Sequence, residues 1–127
     1  MSADLIAALD SALAGQGGED IVLRRTYGQA PRMNYVEIKL RAAVRGYQPV
    51  ELVSGISQTD SKVIISPTGL RQRGWPGGEA PSATVAEPWL PRTLDDVFIG
   101  GRKRSIQVVT PFRPSGEVVR IEMRVLG

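Results

Sequence analysis

The chain contains no cysteine and no histidine. The first absence excludes a disulfide framework, a thiolate-based zinc site and a thiol nucleophile. The second removes the imidazole base, every His-dependent triad and the usual transition-metal ligand set. Aromatic residues are also scarce, with two Trp, three Tyr and two Phe in 127 residues. No apolar run approaches the roughly 20 residues that cross a bilayer. The amino-terminal stretch carries Asp4 where a signal peptide needs Lys or Arg. The expectation is a soluble, unexported chain that makes no use of a membrane.

What is present fits one modest domain. The length suits a single core, and 42% of the residues are hydrophobic. Sixteen Lys plus Arg against 13 Asp plus Glu leave a net charge of +3. The pI of 9.7 overstates that excess, because little titrates between neutral pH and the Tyr and Lys range. Thirteen of the cations are Arg, which makes planar, bidentate contacts with carboxylates and phosphates. Such a composition follows from coding bias or from a surface that meets other subunits or nucleic acid.

Periodicity divides the chain into one helix followed by strands. In residues 2–14, Leu5, Leu9, Ala12 and Leu13 fall on one helical face, with Ser2 and Asp4 at the start and Gly15, Gly17 and Gly18 at the end. Three turns are marginal alone, so Leu5, Leu9 and Leu13 must dock on the chain's own sheet or on a neighbour. From Glu19 the period becomes two, with Ile21 and Leu23 alternating with Val22 and Arg24. The clearest strand places Val36, Ile38, Leu40, Ala42 and Val44 on one face and Glu37, Lys39, Arg41, Ala43 and Arg45 on the other. Its length suggests a bend near Ala42 and Ala43, and the turn before it is expected within residues 28–32. Residues 46–55 read as a connector with one helical turn. Further strands are expected at 61–66, 96–100, 104–110 and 117–126, with Gly100 and Gly101 as a hairpin turn. The fold class is mainly β: a small antiparallel β-barrel or sandwich of about six strands, with a short N-terminal helix and a long Pro/Gly-rich loop.

That loop, residues 67–93, holds five of the nine prolines and both tryptophans. Uninterrupted loops of this length are uncommon in compact domains. It reads either as an insertion whose Trp side chains fold back on the barrel, or as an arm ordered on a partner. In the second case Trp75 and Trp89 are the anchors, and Arg71 and Arg73 the polar contacts. The expected consequence is an arm with few internal backbone partners, which could be shortened without unfolding the barrel.

No catalytic constellation emerges. Asp95 and Asp96 are adjacent at a strand entrance, where neighbours point to opposite faces, and read as turn formers. Glu19, Asp20, Glu51 and Asp60 read as solvated strand caps. The glycines at 15–18 follow a helix, and those around Trp75 lack the Lys-Ser/Thr of a phosphate-binding loop. The chain is therefore read as a non-enzyme with no cofactor and no metal. A nucleic-acid-binding barrel is the rival, carried by Arg102, Lys103 and Arg104 and by the pair Arg24 and Arg25. Its weakness is the lack of aromatic platforms and the mixed-sign strand faces, which suit ion pairs better than a phosphate track.

The order of these phrases carries a resemblance. A short helix, GGEDIVLRRTYG, the long strand, RAAVRGYQPVELVSGISQTDSKVIISP, the GWPGG arm, DDVFIGGRKRSIQVVTPF and GEVVRIEMRVLG follow one another. This resembles the head-tail joining, or head-completion, proteins of tailed bacteriophages, and among them the connector stoppers. The resemblance implies a structural protein of the virion neck, assembled in the host bacterial cytoplasm. It implies a homo-oligomeric ring of six or twelve copies around packaged DNA, which it would touch non-specifically. The ring would lie between portal and adaptor proteins on the head side and a tail terminator or tail tube on the other. Residues assigned to partner contacts on this view are Arg71, Arg73, Trp75, Trp89, Arg102, Lys103, Arg104, Leu5, Leu9 and Leu13. A tail terminator, which resembles an α/β sandwich with several helices, is the alternative within the virion; the single expected helix weighs against it.

Overall fold

A computed structural model describes residues 2–46, 60–78, 80–82, 84 and 87–127. Helix α1 (Ser2–Ala14) leads into β1 (Glu19–Gln29) and β2 (Arg32–Gly46). Then come β3 (Ser61–Ile65), a short helix α2 (Pro67–Gln72), β4 (Asp96–Ile99), β5 (Arg102–Phe112) and β6 (Arg120–Val125). The six strands close into an antiparallel barrel in the order β1-β2-β3-β6-β5-β4. Closure leaves no sheet edge within the barrel wall.

Alternation sets which side chains enter the barrel. Ile21, Leu23, Leu40, Ala42, Val63, Ile65, Val97, Ile106, Ile121, Met123 and Val125 form one buried cluster. β2 serves two neighbours: residues 32–42 pair with β1, and residues 43–46 pair with β3. The exchange of partners falls between Ala42 and Ala43, where small side chains were expected to mark a corner. At the β4–β5 hairpin Gly100 and Gly101 have φ of 58° and 80°. Two consecutive positive φ values define the turn that matches strand twist, and glycine adopts them without a Cβ clash. The β1–β2 turn is tighter than expected, with Ala30 and Pro31 alone between the strands.

Two expectations need correction here. Among the described residues there are two helices, because α2 opens the arm. Ser66 caps it, its side chain accepting from the Thr68 amide at 3.2 Å, and Pro67 occupies the first turn. A Ser-Pro pair at a helix start leaves one orphan amide satisfied and another absent. Asp60 is not a solvated cap either. It is buried at 2% exposure, and its carboxylate accepts from the Gly127 amide at 3.3 Å. The connector expected at 46–55, with Glu51, lies outside the described residues apart from Gly46, which ends β2.

Helix α1 docks on the chain's own sheet. Leu13 packs on Ala43 and Ile64, with Leu9 partly buried beside them. Arg41 of β2 reaches the helix end. Its guanidinium donates to the carbonyls of Leu13 at 2.9 Å, Gly15 at 3.0 Å and Gly18 at 2.9 Å. A cation on orphan carbonyls at a helix C-terminus is favourable both as hydrogen bonds and against the helix dipole. Gly18 is needed for this approach, since a Cβ there would lie 2.0 Å from the Leu13 carbonyl oxygen. Thr68 Oγ1 donates to Asp10 at 2.7 Å and ties α1 to α2.

Candidate interaction surfaces

The arm is built into the barrel by one buried ion pair. Arg25 follows Ile21 and Leu23 at the next inward position of β1, and its side chain is fully buried. Its Nε donates to Asp95 Oδ1 at 2.7 Å and its Nη2 to Asp95 Oδ2 at 2.8 Å. The same guanidinium donates to the arm carbonyls of Leu90, at 3.0 Å, and Pro81. It also lies 5.3 Å from the centre of the Trp75 ring. Asp95 in turn accepts from the Arg92 amide at 3.0 Å. A buried charge requires this degree of pairing, because each unpaired ion inside costs several kcal/mol.

The composition of residues 67–93 hid this role. Leu70, Trp75, Ala80 and Leu90 are buried, three of them in the main core cluster. The expectation of few internal partners is therefore corrected: the backbone of this segment supplies acceptors to Arg25, and Trp75, at 4% exposure, is a core side chain rather than an exposed anchor. Asp95 is likewise more than a turn former. One signal for the pair was present in the sequence, since Arg25 stands in phase with Ile21 and Leu23. Its partner 70 residues on is fixed only by the closed topology.

The other expected contact residues separate into different places. Arg71 stacks over the partly buried Trp89, 5.0 Å from the ring centre. Arg73 is exposed, and its backbone amide caps α2. Arg102 and Lys103 are exposed, with Lys103 3.9 Å from Asp96. Arg104 instead donates to the Leu126 carbonyl at 2.6 Å. Leu13 is buried under α1, Leu9 is half-buried and Leu5 is 50% exposed.

Two exposed surfaces were not singled out by the sequence. The first is a ribbon. Residues 21–24 of β1 pair with both β2 and β4, but the β1–β2 ladder continues to Gln29 and Arg32. This projecting two-stranded portion exposes Met33 and Tyr35, at 50% and 55%. At its base Arg24 lies between the Tyr35 and Phe98 rings, at 4.1 and 4.5 Å from their centres, and pairs with Glu37 at 2.8 Å. Nearby, Asp20 is held below the ordinary carboxylate range by a hydrogen bond from Arg41, with Lys39 adding to the effect. The second surface is a groove of about 530 Å³ between α1 and the β5–β6 end, lined by Leu5, Leu9, Phe112, Pro114, Val119 and two arginines. β1–β2 and β5–β6 stand opposite one another in the strand order of the barrel.

Among the described residues no group of three or more acidic side chains has metal-binding geometry, and no helix is long and apolar enough to cross a membrane. In comparisons with known proteins, neither a family model nor a curated protein sequence matches this chain.

Proposed function

We propose that this protein is a structural subunit of a homo-oligomeric ring, of the kind found in the bacteriophage neck as a connector stopper. The observation that carries the reading is the β1–β2 ribbon. It extends from a closed barrel, presents Met33 and Tyr35 to solvent and lies away from the β5–β6 pair. A wall without edges offers neighbours little to pair with, whereas a projecting ribbon offers backbone groups and apolar side chains together. Contact between this ribbon and a different surface of the next copy is heterologous, and heterologous contacts that close make rings. Packaged DNA then lies in the channel, held by non-specific contacts, with adaptor and tail proteins above and below. The phage assignment adds to this the order of phrases along the sequence.

Native mass spectrometry and electron microscopy of the purified protein, alone and with the adaptor-layer protein of a candidate phage, test the proposal. The expected result is one ring stoichiometry, with the protein found in the neck of assembled particles. A species that stays monomeric in both settings and is absent from the neck overturns it. Fluorescence anisotropy with single-stranded and duplex DNA at two salt concentrations separates the rival. Tight binding with a steep salt dependence would favour a nucleic-acid-binding barrel.

A further inference from the structure

Among the described residues seven large apolar side chains are exposed, and five of them fall into two groups. Met33 and Tyr35, at 50% and 55%, stand on the outward face of the β1–β2 ribbon. Leu5 and Phe112, at 50% and 41%, line the groove beside α1, and Val108 lies on the same outward row of β5 as Phe112. The two groups sit on opposite walls. In the closed strand order β1 faces β6 and β2 faces β5 across the barrel. One copy cannot bring them together, whereas two copies arranged head to tail can.

Both surfaces carry little free charge. Arg113, at the groove rim, is paired with Glu87, and Arg120 lies 2.6 Å from Glu122. With each lining arginine already beside a carboxylate, the groove offers an occupant apolar surface rather than charge. On the ribbon the one charged side chain between residues 26 and 35 is Arg32. It precedes Met33 on β2 and so stands on the opposite face. Across the ladder Met33 meets Gly28, which has φ of 105° and no side chain. A Cβ at Gly28 would lie 2.8 Å from the Arg32 carbonyl oxygen. Met33 therefore has no side chain directly across from it, and it projects as a flexible apolar knob that can enter a concave site. Tyr35, two residues on, is held in place by Arg24, 4.1 Å from its ring centre.

We infer that the groove between α1 and the β5–β6 turn receives the β1–β2 ribbon of the next copy. Met33 fills the space between Leu5, Leu9, Phe112 and Val119, and Tyr35 packs at its mouth. The inference rests on the reading of the ribbon as the contact between copies, and it adds the surface that receives it. Ribbon and groove are different patches, so each contact leaves one free ribbon and one free groove at the two ends. Such a series ends only when a ring closes.

The absence of cysteine makes the test direct. Gln29→Cys marks the ribbon tip and Ser115→Cys the groove rim, and both positions are exposed and outside the contact itself. The two variants of the full chain are mixed and joined with a short bismaleimide. The mixed product is expected to form at least about ten-fold faster than either same-site dimer. Adding Met33→Ser to the first or Phe112→Ser to the second should cut it about ten-fold, the effect of losing one large apolar side chain from a contact. Both side chains are about half-exposed in the single copy, so thermal melts should stay close to the parent. A second measurement needs no cross-link. Met33→Ser keeps its groove and Phe112→Ser keeps its ribbon. At a concentration where each alone is monomeric, their mixture should form one-to-one dimers in native mass spectrometry that do not extend. Same-site products as abundant as the mixed one, or assembly of Phe112→Ser at the parent's level, would overturn the assignment and give the groove another occupant. Rings that form without the mixed product would sink the groove assignment and leave the ring reading standing. Mixed product in open head-to-tail chains, with no ring, would sink the ring reading and leave the groove assignment standing. A parent that stays monomeric and gives no mixed product would overturn both.

Discussion

The arm buries its large side chains in the barrel, whereas the ribbon holds two of its own in solvent. Residues 67–93 are rich in proline and glycine, yet they send Leu70, Trp75 and Leu90 into the core. Residues 19–46 hold the most regular alternation in the chain, yet their middle runs out of the barrel and exposes Met33 and Tyr35. Periodicity reports the local backbone, whereas burial depends on what lies across from it. An alternating strand is half-buried only where a second layer covers it. An irregular segment becomes core wherever its large side chains are placed over an open barrel end and its carbonyls find donors.

The largest effect should come from removing the arm. Deleting residues 71–87 takes out Trp75 and Ala80 and the Pro81 carbonyl that Arg25 uses, while leaving Arg25 inside the barrel. The expected outcome is loss of cooperative unfolding, read by circular dichroism and by tryptophan fluorescence from Trp89. A deleted chain that melts like the parent would show that the barrel closes without this segment. Trp75→Ala is the milder form of the same test. A large aromatic lost from a packed core costs about 3–5 kcal/mol, read as a shift in the urea midpoint.

The Arg25–Asp95 pair sharpens the contrast by chemistry rather than by volume. Asp95→Ala leaves a buried guanidinium with two backbone carbonyls and no counter-charge. Breaking such a pair from one side costs about 3–5 kcal/mol, whereas replacing both members with apolar residues is often nearly neutral. Arg25→Met combined with Asp95→Leu should therefore recover most of what Asp95→Ala loses. If the double variant is as unstable as the single one, the pair is needed for the hydrogen bonds that hold the arm, beyond charge balance alone. Next in size is Arg41→Ala. It removes three hydrogen bonds to carbonyls at the end of α1 and should cost about 1–2 kcal/mol. Amide exchange should rise in α1 and stay unchanged in β3 and β6.

How far the sequence discloses this structure follows the same division. The barrel strands and the Gly100–Gly101 hairpin are legible because they depend on alternation and on a positive φ, both local properties. The docking of α1 through Leu13 is half legible. Its apolar face is evident, but the choice of Ala43 and Ile64 as the surface beneath it needs the fold. Of the Arg25–Asp95 pair only the phase of Arg25 is legible, because its partner comes to it only through barrel closure. Arg25 in particular looks like the second half of a surface Arg-Arg pair until its phase with Ile21 and Leu23 is given weight. For Trp75 the sequence leaves two places open, folded back on the barrel or against a partner, because proline and glycine describe backbone freedom and say nothing about where a large side chain is buried; the structure takes the first.

The smallest effect on stability belongs to the ribbon, and there the comparison is most exposed to test. Met33→Ser with Tyr35→Ser changes two half-exposed side chains on a portion of ladder that pairs only between β1 and β2. Surface substitutions of this kind usually stay within about 0.5 kcal/mol. Tyr35 also stacks on Arg24, which adds at most about 1 kcal/mol at an exposed site. The urea midpoint should therefore move little. If the ribbon is the contact between copies, the same variant should abolish the assembled species in sedimentation velocity at concentrations where the parent forms it. A loss of stability comparable to that of Trp75→Ala would mean that the ribbon belongs to the folded core as much as the arm does. Unchanged assembly with unchanged stability would move the subunit contact to another face of the barrel.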